Sequence, residues 1–350
     1  MANKRVVLSD VARLAGLSKA TVSRYLNNSI VLPQQTTQRI EDAISTLNYR
    51  GNSLARRLSK GGSETLGLVL PEISNPFFAE LAEAAEEAAS AHQYSLVLCV
   101  TRNNLEKEMQ FIRWLDTRQV DGLLFATNKP DNGALLAELQ GQSNIVLIDE
   151  DIPGADVPKV FADNVTGGRL AAQQLIDAGH RRIAYVGGPG ELMSVRERHE
   201  GFCQALASAG LPCPPELVLM GDYTREFGQY ALETLLALPV PPTAIFAGSD
   251  YLALGLLDGL RAHQLSAPQD MSIVGFDDAN YAELITPRLS TIRQNAGELG
   301  RTAVELLIKI LKEETPQENS IARIPVQSVS RESIAPCTTS LDSPRLNKAG

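Results

Sequence analysis

Carboxylates gather at one kind of place in this 350-residue chain, directly after short apolar runs. Asp149 follows NIVLI, Asp163 with Asn164 follows KVFA, Asp250 follows AIFAGS, and Asp277 and Asp278 follow MSIVGF. Acids placed this way can bind a polar ligand, hold Mg²⁺ or cap the helices that come next, and spacing alone leaves all three open. A second set lies near the N-terminus. Ala20, Ser23, Arg24 and Asn27 stand at i, i+3, i+4, i+7, a stripe of small or polar side chains in which Arg24 has the fork that suits a guanine edge. Arrangements for covalent chemistry do not stand out. GGPG at Gly187–Gly190 lacks both the nucleotide-loop lysine and the dinucleotide glycine spacing, and reads as a turn. His92, His180, His199 and His263 are dispersed with no i, i+4 pair, and no spacing supports a Ser194/His199/Asp triad. Cys99, Cys203, Cys213 and Cys337 have no metal-like spacing and read as buried or idle thiols. No enzyme activity, cofactor or metal is expected.

The elements that must carry these residues are readable from periodicity. Leu8, Val11, Ala12 and Ala15 form one face of a first helix. Gly16 supplies a turn, Leu17 a buried plug and Ser18 a cap for a second helix, in which Val22 and Leu26 point inward opposite the Arg24 stripe. Ile40, Ala43, Ile44 and Leu47 make the apolar stripe of a third. Two helices joined by a tight glycine turn, the second with a short polar face, predict a helix-turn-helix. From Thr65 onward, apolar strands (LGLVL, SLVLCV, GLLFA, NIVLID, KVFAD, RIAYVG, LVLMG, AIFAG, MSIVGF, STIRQ) alternate with helices such as Phe77–His92 and Leu105–Arg118. Near-continuous apolar strands in βα repetition predict an α/β body of parallel sheets covered on both faces, with ligands bound outside the strands' carboxyl ends.

Charge separates the same two regions. Residues 1–62 hold ten Lys/Arg and three acids, a balance of +7, whereas the remainder holds 22 bases and 38 acids. A basic head on an acidic body predicts that a polyanion meets the head alone. Between them, Ser53–Ser59 is a possible helix too short to form alone in water, followed by the flexible Lys60–Ser63. The apolar stretch of MANKRVVLSD is only Val6–Leu8, which predicts no signal peptide, and no apolar run is long enough to cross a bilayer. A cytoplasmic protein without a membrane partner is expected.

LSDVARLAGLSKATVSRYLNN followed by TTQRIEDAISTLNYRGNSLARRLSKG closely resembles the headpiece of the Lac repressor family of bacterial regulators. The resemblance implies that Lys19 and Ala20 occupy the variable operator-reading positions, just after Ser18. It also implies that Thr21, Ser23, Arg24 and Asn27 contact bases or phosphates, that Asn52 contacts the backbone and that Leu58 wedges into the minor groove. Gly51 stands where the family usually has proline, which leaves the start of the hinge less rigid in the free chain. PEISNPFFAEL, ADNVTGG, AGHRRIAYVGGP, RERHEGF, AGSDYLALG and TPRLSTIRQ extend the resemblance over residues 5–335, together with the periplasmic sugar-binding fold. The implied effector cleft takes Phe77, Phe78, Asp149 and Asp163 from one lobe. From the other it takes Ser194, Arg196, Arg198, Tyr223, Asp250 and Asp277, with Gln294 on a crossover.

The expected organisation is a headpiece over 1–50 (motif 8–27), a hinge over 51–63 and an effector domain over 64–335. Its N-lobe spans about 64–162 and 292–325, its C-lobe about 163–291, and a disordered tail covers 336–350. The expected function is a repressor of carbohydrate-utilisation genes that binds a pseudo-palindromic double-stranded operator as a homodimer. A sugar or sugar acid releases it, Arg196 and Arg198 suiting an acid. The alternatives are a purine-type corepressor within the same family, or a solute-binding protein. Two-fold operators require the dimer, and a tail without heptads adds no tetramer.

Overall fold

The computed structural model describes residues 6–26, 29–49, 62–313 and 320–337, and it divides into two units, 1–64 and 65–350. Asn27, Asn52, Leu58 and most of the expected hinge lie outside the described residues.

In the small unit, α1 (Leu8–Ala15), α2 (Lys19–Leu26) and α3 (Gln34–Leu47) enclose a core of Val11, Ala12, Ala15, Val22, Ile40 and Ala43. Gly16 ends α1 with φ 64°, a left-handed conformation that glycine adopts without strain, and its amide donates to the Ala12 and Arg13 carbonyls. The Arg39 guanidinium donates to the Ala15 carbonyl at 2.6 Å, tying α3 to the end of α1. Leu17 is half-buried against this core rather than sealed in it, because it sits on the turn between two short helices.

The large unit holds two parallel sheets. β1 (Thr65–Leu70), β2 (Ser95–Val100), β3 (Gly122–Phe125), β4 (Ile145–Ile148), β5 (Lys159–Ala162) and β11 (Ile321–Ile324) line up as β11-β5-β4-β3-β1-β2. One face packs on α4 (Pro76–Ala91) and α11 (Ala296–Leu311) through Leu66, Leu68, Leu81, Leu299 and Leu307. Val69, Leu123, Phe125 and Leu147 pack on the other face with α5 (Leu105–Ile112) and α6 (Ala134–Leu139). The α5 helix is shorter than the expected Leu105–Arg118, since residues 113–119 run as turns with Arg118 at φ 52°.

The second sheet orders β6 (Ile183–Gly187), β7 (Val218–Met220), β8 (Ala244–Ala247) and β9 (Ser272–Val274) as β7-β6-β8-β9. Its flanking helices are α7 (Asn164–Asp177), α8 (Met193–Ser208), α9 (Arg225–Leu236) and α10 (Asp250–Ala262). An antiparallel ribbon of β10 (Thr291–Gln294) and β12 (Val326–Val329) joins the lobes. The chain therefore passes between lobes at residues 162–164, 294–296 and 324–326. After β12 it stays with the second lobe, where the Ser333 hydroxyl donates to the Ile273 carbonyl. Pro336 and Cys337, expected in the tail, belong here too. The Cys337 amide donates to the Ala178 carbonyl at 2.8 Å, so the chain is held to that point. No described helix is long and apolar enough to cross a membrane.

Candidate functional site

The carboxyl ends of the strands of both sheets open onto one cleft lined by residues of both lobes. After β1, Asn75 caps α4 by accepting from the Phe77 amide at 3.1 Å. Pro76 starts the helix, and Phe77 and Phe78 then stand edge to face with centroids 5.1 Å apart at the cleft wall. Asp149 leaves β4 with φ 69°, and Asp277 leaves β9 with φ 120°. Both conformations are unfavourable for residues with a Cβ, and strain of this kind persists where the surrounding structure enforces it.

Arg198 on α8 lies between these acids, 4% exposed. Its Nε donates to Asn164 Oδ1 at 2.8 Å and its Nη1 to the Gly248 carbonyl at 2.7 Å, while its Cζ lies 3.8 Å from the Phe276 ring centroid. The helix can bring Arg198 this deep because α7 offers glycine at the crossing. A Cβ on Gly168 would stand 2.0 Å from the Arg198 carbonyl oxygen, and one on Gly201 would stand 1.9 Å from that of Val165. Burial opposes the Arg198 charge, but the acidic groups beside it, Tyr223, Asp277 and Asp149, more than offset this and raise its pKa. Burial likewise pushes Asp149 and Asp277 up to about 6, with Arg198 pulling against it.

Two acceptors at this site have no partner among the described residues. Gln294 donates through Nε2 to Asp277 Oδ1 at 2.6 Å, an orientation fixed because a carboxylate can only accept. Its Oε1 is left buried and unpaired, as is Asp149 Oδ1.

Ser194, Tyr223, Asn128, Glu72, Ser249 and Tyr251 complete the lining. Tyr223 rests on Gly188, where a Cβ would fall 2.3 Å from its ring, so the GGPG segment is a seat for this aromatic as well as a turn.

Of the residues expected at the cleft, the structure brings together Phe77, Phe78, Asp149, Ser194, Arg198, Tyr223, Asp277 and Gln294. Three others are corrected. Asp163 turns to its own helix and caps α7 by accepting from the Thr166 amide at 3.1 Å. Arg196 is exposed, two positions from Arg198 and thus on another face of α8, and it donates to the Glu191 carbonyl. Asp250 is buried behind the site. Its two oxygens accept from Thr291 Oγ1 at 2.6 Å and the Ala279 amide at 2.8 Å, which pins the loop carrying Asp277, while Ser249 takes the cap of α10.

Sequence reasoning missed Glu150. It leaves β4 in the first lobe, reaches the N-terminus of α8 in the second, and accepts from the Met193 amide, the Ser194 amide and Ser194 Oγ at 2.5, 3.2 and 2.7 Å. Leu192, at the cap position, has no side-chain oxygen to offer, so Glu150 caps α8 across the lobes. Burial raises its pKa to about 7, with the Ser194 bonds opposing and Asp149 reinforcing the rise. Arg323 with Glu197 (2.5 and 2.6 Å) and the exposed pair Lys129 with Asp222 (3.3 Å) also bridge the lobes.

In the small unit, Ser18 Oγ accepts from the Thr21 amide at 3.0 Å and caps α2. Lys19, Ala20 and Arg24 are exposed, and Thr21 and Ser23 are half-buried. The Arg24 guanidinium has no partner among the described residues.

Both units match one family in known proteins. Residues 7–52 match bacterial regulatory proteins of the lacI family, and residues 63–332 match the periplasmic binding proteins and sugar binding domain of the LacI family. The chain belongs to the lacI family of bacterial regulatory proteins. This regulator is 35% identical over 301 residues to the HTH-type transcriptional repressor CytR of Escherichia coli K12, covering 86% of this chain and 88% of that one. It resembles the solved transcriptional regulator CelR–cellobiose complex with TM-score 0.71 and 31% identity, over 94% of this chain and all of the other. It also resembles the Lac repressor dimer bound to operator and an anti-inducer, with TM-score 0.83 and 26% identity, over 95% and 100% of the respective chains.

Proposed function

We propose that this regulator represses transcription by binding a pseudo-palindromic operator as a homodimer, and that a neutral, polyhydroxylated sugar-type effector in the cleft releases it. The headpiece supports the first part. The +7 balance of residues 1–62, the polar face of α2 and the exposed Arg24 suit phosphate contacts and a base edge. The residues proposed to face DNA remain Ser18, Lys19, Ala20, Thr21, Ser23 and Arg24, with Asn27, Asn52 and Leu58 beyond the described segments.

The unpaired acceptors Asp149 Oδ1 and Gln294 Oε1 carry the effector reading. They call for donors, which hydroxyl groups supply and a carboxylate or phosphate does not. The charge balance agrees. Arg198 already faces two acids, and Arg196, which favoured a sugar acid in the sequence, lies outside the cleft. Phe77, Phe78 and Tyr223 add apolar faces for the C–H side of a ring.

Thermal shift of the full chain against neutral mono- and disaccharides, uronic acids, sugar phosphates and purines tests this. Hits are then assayed for release of a duplex selected from a random pool. Stabilisation and release by a neutral sugar are expected. Stabilisation confined to anionic sugars would overturn the effector class, and purine-dependent tightening on DNA would make the ligand a corepressor instead.

A further inference from the structure

Away from the cleft, α8 carries a second set of reactive side chains. Cys203 follows His199 by one helical turn, and Cys213 returns from the segment after α8 to meet them. The Sγ atoms of Cys203 and Cys213 are 2.8 Å apart, and His199 Nε2 lies 3.3 Å from the first and 3.9 Å from the second. All three residues are half-buried, within reach of a small solute.

We propose that Cys203, Cys213 and His199 form a redox-active dithiol site that hydrogen peroxide converts to an intramolecular disulfide. The geometry favours a disulfide over a metal. A sulfur–sulfur bond of about 2.03–2.05 Å asks the pair to close by less than about 1 Å. A zinc ion bound by two thiolates at about 2.3 Å would instead hold the sulfurs nearly 4 Å apart, and the pair would have to separate. Among the described residues no fourth His, Cys, Asp or Glu joins the group.

Either thiol can attack, because the two share one hydrogen bond that lowers the pKa of the acceptor and raises that of the donor, with His199 beside both. Where Cys213 attacks, its thiolate adds to one peroxide oxygen and breaks the O–O bond, giving a sulfenic acid and a hydroxide that leaves as water after taking the proton lost by Cys213. Cys203 then attacks the Cys213 sulfur. Its proton passes by way of His199 to the departing hydroxyl, a second water leaves, and the disulfide forms. Two thiols and one peroxide become one disulfide and two waters. The bond would tie the C-terminal half of α8, five residues beyond Arg198, to the segment leading into β7 and Tyr223. Disulfides that form in reducing compartments are typically transient and sensing ones.

The test treats the full chain, reduced and metal-free, with hydrogen peroxide, and reads intact mass and non-reducing peptide maps. Wild type should lose two hydrogens, with the link mapped to Cys203–Cys213 and reversed by dithiothreitol. A C99S/C337S variant should behave identically. C203S and C213S, each lacking the resolving thiol, should trap a sulfenic acid on the remaining cysteine that dimedone labels and should form no intramolecular disulfide. Persistence of both thiols under conditions that oxidise a control dithiol would overturn the proposal, as would a link through Cys99 or Cys337. Tight stoichiometric zinc binding that blocks oxidation would overturn it in favour of a metal site.

Discussion

Replacing Glu150 with glutamine isolates a charge that bridges the lobes. Three donors and a helix N-terminus favour its carboxylate form, whereas burial and the neighbouring Asp149 favour the acid. Burial prevails, and the pKa rises from 4.5 to about 7. An acid with a raised folded-state pKa binds its proton more tightly folded than unfolded. Its stabilising contribution is therefore present in full below about 4.5 and is lost as pH rises through about 7. That rise is equivalent to about 3 kcal/mol, of which about 2–3 kcal/mol falls between pH 5 and pH 8. Glutamine keeps the shape and the acceptor oxygen and cannot ionise. Denaturant unfolding of wild type and E150Q at pH 5 and pH 8 gives the comparison, since groups common to both cancel. E150Q should lie close to wild type at pH 5 and gain on it by about 2–3 kcal/mol by pH 8. A difference that stays flat, or in which wild type gains with pH, would refute the reasoning and show that the α8 N-terminus stabilises the carboxylate more than burial penalises it.

Arg198→Ala leaves Asp149 and Asp277 without their buried cation. Destabilisation of the large unit by about 3–5 kcal/mol is expected in denaturant unfolding, with loss of the ligand-dependent thermal shift. Gly168→Ala drives a methyl into the Arg198 carbonyl, so a loss of about 1–3 kcal/mol is expected together with weaker effector binding, whereas Gly133→Ala, strained by its φ of 96° but away from the cleft, should lower stability and leave effector binding unchanged. Arg24→Ala should cost about 1–3 kcal/mol on the selected operator and relax preference at one base pair, as read by fluorescence anisotropy on single-substituted duplexes. Equal weakening on every duplex would place Arg24 on phosphate.

The strands β1 to β9 were legible because each is a short apolar run, and β10, TIRQ, was read as a strand although three of its four residues are polar. β11 and β12 were not. They read IARIPVQSV, where Arg323 and Pro325 break the pattern, and each is an outer strand with exposed residues, so burial wrote little into its sequence. Acids at strand ends were visible, but their orientation was not. Asp163, Asp250 and Asp277 each follow a strand within three residues, and what separates them is whether the next donor is their own helix, a loop behind the site or Gln294. Glu150 was hidden for the same reason, since nothing in Asp149-Glu150-Asp151 marks the acid that crosses to a helix more than forty residues away. Half of the thiol site was readable: His199 and Cys203 are one turn apart, but Cys213 arrives through a turn whose path no periodicity records.

The cleft's chemistry also bounds how strongly a ligand can act on the rest of the molecule. A ligand hydroxyl that replaces water contributes about 0.5–1.5 kcal/mol at Gln294 Oε1 and about 1.5–3 kcal/mol at the charged Asp149 Oδ1, so the two contacts together are worth about 2–4 kcal/mol to the arrangement that forms them. Only that difference between arrangements can shift the equilibrium; affinity common to both does nothing. A coupling between effector and operator of about 1–3 kcal/mol is of the size that two such contacts can supply. An effector that leaves one acceptor unsatisfied, such as the deoxy analogue of an active sugar lacking the hydroxyl that faces Asp149, should thus bind more weakly and also release DNA less completely at saturation.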